Sequence, residues 1–244
     1  MDDIAKLAAL LQKSQRIVFF GGAGMSTESG IPDFRSSKGL YNQKLNRHFS
    51  PEEMVSHSFF VNHTEEFYAF YREHLLYPQA RPNAGHEALA QLERQGKLQA
   101  VITQNIDGLH QLAGSKNVIE LHGSVLRNYC QKCHAVYDVS YVAEQKPVPC
   151  CQKCGGIVKP DVVLYEESLD NGLLEKAVQA ISEADTLIVG GTSLVVYPAA
   201  GLIRYFRGSS LVIINKSVTQ ADEWADLVIH DSIGTVLKSA LALI

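Results

Sequence analysis

Short apolar runs without internal polar alternation recur along the chain, and they limit its fold more than any other feature. They are Arg16 to Phe20, Ala100 to Thr103, Val118 to Leu121, Thr186 to Val189, Leu211 to Ile214 and Leu227 to Ile229. A strand with one face in water alternates apolar and polar residues, whereas a continuous apolar run must be covered on both faces. Helix-patterned segments lie between several of the runs, at 84–95 and 172–184, and a further amphipathic helix is expected over residues 3–13, with acid at its start and Lys13 near its end. Strands alternating with helices predict an α/β chain with a doubly wound parallel sheet. Ligands of such sheets sit beyond the carboxyl ends of the strands.

Two stretches interrupt the alternation. Residues 43–79 are aromatic, His-containing and helix-patterned, and residues 125–159 hold the cysteines, Pro147 and Pro149. Both are expected to form a smaller lobe inserted in the larger one. At 244 residues, the chain has room for one large domain and such an insertion. Hydrophobic residues make up 46% and charged residues 20%, the balance of a packed soluble protein. With Lys+Arg 22 against Asp+Glu 26, the net charge of -4 provides no basic field to hold nucleic acid, so direct nucleic-acid binding is not expected. No apolar run reaches the roughly 18 residues that a membrane helix needs, and Asp2 and Asp3 stand where a secretory leader carries basic residues. A cytoplasmic protein without a membrane partner is the expectation.

The first apolar run ends in Gly21-Gly22-Ala23-Gly24. Glycines directly after a strand let backbone N–H groups approach a pyrophosphate with no Cβ in the way. The fingerprint is incomplete, since Thr27 stands where a third glycine belongs and no acid ends a second strand about 20 residues later. A tight structural turn is the competing reading.

All five cysteines fall between Cys130 and Cys154. Cys130-x-x-Cys133, seventeen intervening residues and Cys151-x-x-Cys154 have the spacing of two knuckles around one tetrahedral zinc. Four thiolates leave no position for water, so the metal would be structural. Disulfides, and Cys150 in place of Cys151, are the alternatives. The first is disfavoured in a reducing compartment and the second by its longer spacing to Cys154.

From Gly22 through Met25-Ser26-Thr27-Glu28-Ser29-Gly30-Ile31-Pro32-Asp33-Phe34-Arg35, fourteen positions closely resemble the signature of the sirtuin family. Further similar segments follow in the family's order: Pro82-Asn83-Ala84-Gly85-His86, Thr103-Gln104-Asn105-Ile106-Asp107-Gly108-Leu109-His110, Leu121-His122-Gly123-Ser124, Gly191-Thr192-Ser193-Leu194 and Ile214-Asn215-Lys216. The chain is thus similar to a bacterial-type sirtuin over nearly its whole length. The resemblance implies a Rossmann-like NAD-binding domain in 1–42, 80–124 and 160–244, with the 43–79 insertion and a 125–159 zinc ribbon forming the small domain. It also implies an enzyme that uses NAD to take acetyl or longer aliphatic acyl groups from protein lysines, so acyl-lysine proteins or peptides are the expected partners.

What the family does with these positions suggests roles for them. Asn105 and Asp107 would hold the nicotinamide carboxamide, Phe34 would shield the reacting ribose, and Gln104 would contact it. Asp33, Phe34 and Arg35 would move as a loop that excludes water. The implied cofactor shell also includes Gly22, Ala23, Gly24, Thr27, Ile106, His122, Gly191, Thr192, Ser193, Asn215, Lys216 and Asp231, with Ile233 possible beside the adenine. At the ends of apolar runs, Thr192, Ser193 and Asn215 suit uncharged hydrogen bonding to phosphate and ribose, or the capping of following helices. His122 is the expected general base, because an imidazole titrates near neutrality. Taken singly, a histidine is more often structural, and His110 is the rival.

The peptide would add as a strand between Val162-Val163-Leu164-Tyr165 and the segment containing Val195. Tyr165-Glu166-Glu167 departs from the Phe-Gly-Glu usual in the family, which puts the peptide entrance in question. Glu66 to Arg72 carries aromatics that suit either an apolar acyl pocket or helix packing. ADP-ribosyl transfer through the same pocket is the second enzymatic reading, and a non-catalytic reader of NAD or acyl-lysine is the third.

Overall fold

A computed structural model describes residues 2–36, 39–42 and 49–244 of the chain. Helix α1 spans Asp3–Lys13 and starts at Asp2, whose carboxylate accepts the Ile4 N–H at 2.6 Å. Its Leu7, Ala8 and Leu11 are buried. Strand β1 (Ile17–Gly21) is buried at every position. The first insertion supplies α2 (Pro51–Met54), α3 (His57–Asn62) and α4 (Thr64–His74), and its expected start at 43–48 lies outside the described residues. Ser50 and Ser56 cap α2 and α3, satisfying N–H groups that have no partner inside a helix. Next come α5 (Ala84–Arg94), β2 (Leu98–Thr103), α6 (Leu109–Leu112) and β3 (Val118–Glu120). The cysteine segment forms β4 (Gly123–Cys130), β5 (Val136–Tyr137), α7 (Val139–Glu144) and β6 (Val158–Val162). The chain closes with α8 (Asn171–Glu183), β7 (Thr186–Gly190), β8 (Ser210–Ile214), β9 (Leu227–Ile229) and α9 (Ile233–Leu241).

Six strands form a parallel sheet in the order β3-β2-β1-β7-β8-β9. Its two faces explain the continuous apolar runs. Ile17 and Phe19 pack on one side with Leu7 and Leu11 of α1, Leu89 and Leu92 of α5 and Leu237 of α9. Val18 and Phe20 pack on the other with Ala177 and Ile181 of α8 and the turn around Leu202. Successive side chains therefore meet different helices, and both positions must be apolar. Burying each large side chain contributes about 1.5–3 kcal/mol. The chain builds outward from β1 to β3 and then returns to lay β7 on the other side of β1. The crevice beyond β1 and β7 is the topological switch point.

The second sheet is antiparallel, in the order β5-β4-β6. Its core joins the two insertions: Phe59, Phe60, Phe67, Tyr68, Phe70 and Tyr71 from α3 and α4 cluster with Val125, Val142, Val158 and Val162. The aromatic stripe of residues 66–72 is thus packing between α4 and the small sheet. Tyr68 donates its hydroxyl to Val158 O at 2.5 Å, and the Arg72 guanidinium donates to the carbonyls of Val142, Gln145 and Pro147. Among the described residues, no helix is long and apolar enough to cross a membrane.

Candidate active site and metal centre

The loops leaving β1 and β7 touch each other at the switch point. Gly24 N–H donates to Gly191 O at 2.8 Å and Gly22 N–H to Gly190 O at 3.2 Å. A Cβ on Gly24 would lie 2.7 Å from Gly191 Cα, and one on Gly191 would lie 2.3 Å from Met25 N. The glycines therefore serve the packing of two backbones as well as any approach by a phosphate, and the two readings of the loop are compatible. Residues Ala23–Ser29 form a 3₁₀ turn that ends at Gly30, with φ 84 in the left-handed region. Within it, the Thr27 hydroxyl donates to Gly24 O at 2.9 Å.

Beyond the ends of β2 and β3, the polar side chains converge. Asp107 accepts from Ser26 Oγ at 2.6 Å with one oxygen and from Leu109 N–H at 2.9 Å with the other. Asn105 Nδ2 donates to the same Ser26 hydroxyl at 3.1 Å. Burial, chiefly, pushes the Asp107 carboxyl above its usual range, against the pull of those two donors. Ile106 packs at the margin of the small lobe's core, and its carbonyl accepts from Val125 N–H at 3.0 Å. Gln104 Nε2 reaches across to Thr192 Oγ1 at 3.1 Å, tying the β2 end to the β7 loop. Its carbonyl lies 2.9 Å from His122 Nδ1. With Nδ1 donating to that carbonyl, Nε2 is the nitrogen able to take a proton. Burial lowers the His122 pKa below its ordinary value, opposed by the bond to Gln104. His122 occupies the corner between the two sheets, where Gly123 has φ 75 and a Cβ would sit 1.9 Å from Asp161 O.

The positions expected at the adenosine end are less gathered. Asn215 spends its amide on Ser217 O at 2.7 Å, and Asp231 accepts from Ser232 N–H at 2.6 Å. Ser193, Lys216 and Asp231 are exposed, while Thr192 and Ile233 are buried. In the loop, Asp33 Oδ1 accepts the N–H groups of Arg35 and Ser36 at 3.0 and 2.7 Å, and the Phe34 ring lies 5.4 Å from that of Tyr41. Along the expected peptide edge, the N–H groups of Val163, Leu164 and Tyr165 go to His122 O, Glu167 Oε2 and Val55 O. Leu164 is buried and Val195 is exposed.

Two participants, Ser26 and Glu28, escaped the sequence reading. Ser26 joins Asn105 to Asp107 from within the signature, but one serine among many carries no signal of that role. Glu28 accepts from Gly234 N–H at 2.7 Å and Thr235 Oγ1 at 3.3 Å, fixing the glycine segment to the start of α9. His110 faces buried His86 with ring centroids 4.7 Å apart, and both are held neutral by burial, with pKa values lowered to about 3 and about 4. His110 is thus enclosed in the large lobe's interior, against His86 and Phe19.

The sulfurs of Cys130, Cys133, Cys151 and Cys154 all lie within 4.8 Å of one another. A tetrahedral zinc with bonds of about 2.3 Å sets its sulfurs about 3.8 Å apart, and the pairs Cys130–Cys154 and Cys133–Cys151 stand at 3.4 and 3.5 Å. The donors fit one structural zinc. The N–H groups of Lys132 and Cys133 point at Cys130 Sγ, both at 3.4 Å, and the Tyr137 hydroxyl donates to Cys151 Sγ at 3.1 Å, contacts that steady a thiolate. Cys150 is outside the cluster, exposed, with its sulfur toward Val148 O.

A parallel doubly wound sheet with a polar crevice at its switch point, joined to a four-cysteine knuckle, defines a dinucleotide-binding α/β protein with a structural metal lobe. The model of the Sir2 family matches residues 22–198, and the chain belongs to that family. It is 67% identical over 243 residues to the NAD-dependent protein deacetylase of Clostridium perfringens, covering 99% of this chain and 100% of the relative. To that of Clostridium acetobutylicum it is 62% identical over 242 residues, covering 99% of both. A solved Sir2 with a p53 peptide and NAD+ superimposes with a TM-score of 0.86 at 40% identity, over 100% of this chain and 98% of that one. Another, with a deacetylated p53 peptide and 3'-O-acetyl ADP ribose, gives 0.90 at 39% identity, over 99% and 98%.

Proposed function

We propose that this chain removes acetyl or longer aliphatic acyl groups from protein lysines at the expense of NAD, releasing nicotinamide, O-acyl-ADP-ribose and free lysine. The observation that carries the reading is His122, whose Nδ1 is tied to the carbonyl of Gln104, the residue before Asn105, which leaves Nε2 as the nitrogen able to take a proton, in a chain of the Sir2 family. The kinship supports deacylation over ADP-ribosyl transfer to protein, since the relatives are NAD-dependent protein deacetylases.

Bound NAD supplies a sugar carbon that becomes electrophilic as nicotinamide leaves. The chain's part is to position, to exclude water and to move one proton. Asn105 and Asp107, held together by Ser26, would fix the carboxamide that leaves. The backbone of Gly22, Ala23 and Gly24, with Thr27, Gln104, Ile106, Gly191 and Thr192, would cradle pyrophosphate and ribose. Ser193, Asn215, Lys216 and Asp231 would turn toward the adenosine. Phe34, carried on the Asp33–Arg35 loop, would cover the reacting face. His122 Nε2 would then take a proton from a ribose hydroxyl.

An acyl-lysine peptide would pair as a strand between Val162–Tyr165 and Val195. The N–H groups of Val163, Leu164 and Tyr165 are already used, and the carbonyls of Val162, Leu164 and Tyr165 accept from Lys159 Nζ, Glu167 N–H and His57 N–H, so the pairing on that side would centre on the Val163 carbonyl. Residues 43–79 and 125–159 would form the small domain, with zinc at Cys130, Cys133, Cys151 and Cys154, in a reducing cytoplasmic compartment. Incubating the protein with NAD and an acetyl-lysine peptide, followed by mass spectrometry, tests the reading. Equal yields of nicotinamide, deacylated peptide and O-acetyl-ADP-ribose are expected, whereas ADP-ribose attached to protein would replace it with the transferase reading.

A further inference from the structure

The segment after β6 is clamped to the first insertion at its backbone. Tyr165 N–H donates to Val55 O at 3.1 Å and Tyr165 O accepts from His57 N–H at 3.0 Å. The Glu166 carboxylate accepts from Ser58 N–H and Oγ at 2.8 and 2.6 Å, and Glu167 contacts His57 and Lys159 at 2.9 and 3.2 Å. These contacts fix the Tyr165 backbone.

At the far end of the Tyr165 ring, its hydroxyl meets the loop expected to cover the cofactor. Arg35 Nη2 donates to Tyr165 Oη at 3.1 Å, and Tyr41 Oη lies 3.0 Å from it. The Arg35 guanidinium stands over the Tyr41 ring at 5.2 Å, and that ring packs on Phe34. Leu40 N–H and Tyr41 N–H donate to Asp33 O and Phe34 O, both at 2.8 Å, so the two limbs of the loop are joined as well. One phenolic oxygen thus joins the edge expected to take the peptide to both limbs of the segment that carries Phe34. The phenylalanine usual in the family at this position offers no such oxygen.

We propose that the Tyr165 hydroxyl is a positioning group that couples peptide binding to cofactor binding, through Arg35 and Tyr41. The inference rests on the deacylase reading above. A peptide strand laid along Val162–Tyr165 restrains the Tyr165 ring, the restrained hydroxyl holds Arg35 and Tyr41, and the loop then closes at a smaller entropic cost. Thermodynamic linkage requires the reverse, with the cofactor tightening the peptide by the same factor.

The test uses two ligands that do not react together, ADP-ribose and an unacylated lysine peptide, with calorimetry on the full chain. Wild type should bind ADP-ribose about fivefold or more tightly once peptide is saturating. Tyr165→Phe keeps the ring and loses only the hydroxyl, and it should shrink that factor by about threefold to tenfold, the range for a hydrogen bond lost. Tyr41→Phe should shrink it by less, because Arg35 still donates to Tyr165 Oη, and the double variant should lose no more than Tyr165→Phe alone, whose change already deletes both bonds. A merely structural effect would weaken each ligand separately and leave the ratio unchanged. If Tyr165→Phe melts early, Tyr41→Phe reads one of the two bonds. An unchanged ratio in both variants, or additive losses, or no coupling in wild type, overturns the proposal. Turnover of acetyl-lysine peptide by wild type separates the two failures: turnover with an unchanged ratio sinks only the coupling, and no turnover sinks the deacylase reading too.

Discussion

The two sheets of this molecule solve the same problem by different means. The six-stranded sheet is sealed by apolar helices on both faces, and β1 and β7 are buried at every position. The three-stranded sheet has mixed burial along β4, and borrows its core from aromatics contributed by residues 59–71. Four thiols complete it. The large half thus owes its order to continuous apolar surface, while the small half needs a metal and a distant segment to finish an undersized core.

His122 stands at the corner between the halves, so it offers the largest effect. His122→Ala should reduce deacylation by about 10²–10⁴-fold, the usual contribution of a positioned base, with both sheets intact by circular dichroism and zinc content unchanged. Wild type should lose activity as pH falls through the His122 pKa, which burial places below the ordinary histidine value. A variant retaining most of its turnover would remove the base from this corner.

Metal removal should divide the halves most clearly. Cys130→Ala is expected to bind no zinc where wild type binds one per chain. Hydrogen exchange should then show protection lost across β4, β5 and β6 and kept in β1, β2, β7 and β8. Equal loss in both sheets would mean that they form a single cooperative unit.

Acid should act on the large half instead. His86 and His110 are buried there as neutral rings, with His86 Nδ1 accepting from Asn83 N–H at 3.3 Å. Their folded pKa values of about 4 and about 3 lie below the unfolded value near 6.5. The unfolded chain therefore takes up protons first, so stability present above pH 6.5 is lost as pH falls toward 4, by on the order of a few kcal/mol. Urea midpoints at pH 7 and pH 5 measure it, and equal midpoints would mean that the pair titrates normally.

The smallest expected effect is local to the small half. Arg72→Ala frees three carbonyls of the 142–147 turn and should cost about 1–2 kcal/mol. A thermal melt should show it, with ADP-ribose affinity unaltered.

The same contrast governs what the sequence made legible. Each strand of the large sheet announces itself because both faces demand apolar residues, and the glycine loop and the paired Cys-x-x-Cys knuckles stand out by spacing alone. The small sheet does not, since its β4 pattern is irregular and its partners lie some 60 residues upstream. Glu66 to Arg72 illustrates the difficulty: aromatics at helical spacing look the same whether they line a pocket or pack on a sheet. Local pattern cannot reveal Ser26 or Tyr165 as links, because their partners, Asp107 and the loop at Arg35 and Tyr41, are 81, 130 and 124 positions away.

Both margins of the large sheet are its shortest strands, since β3 and β9 have three residues each. A neighbouring molecule seeking unpaired amides would find only a few rungs at either side, too few for a stable intermolecular ladder. Crowding alone should therefore not drive folded copies into fibrils through this sheet.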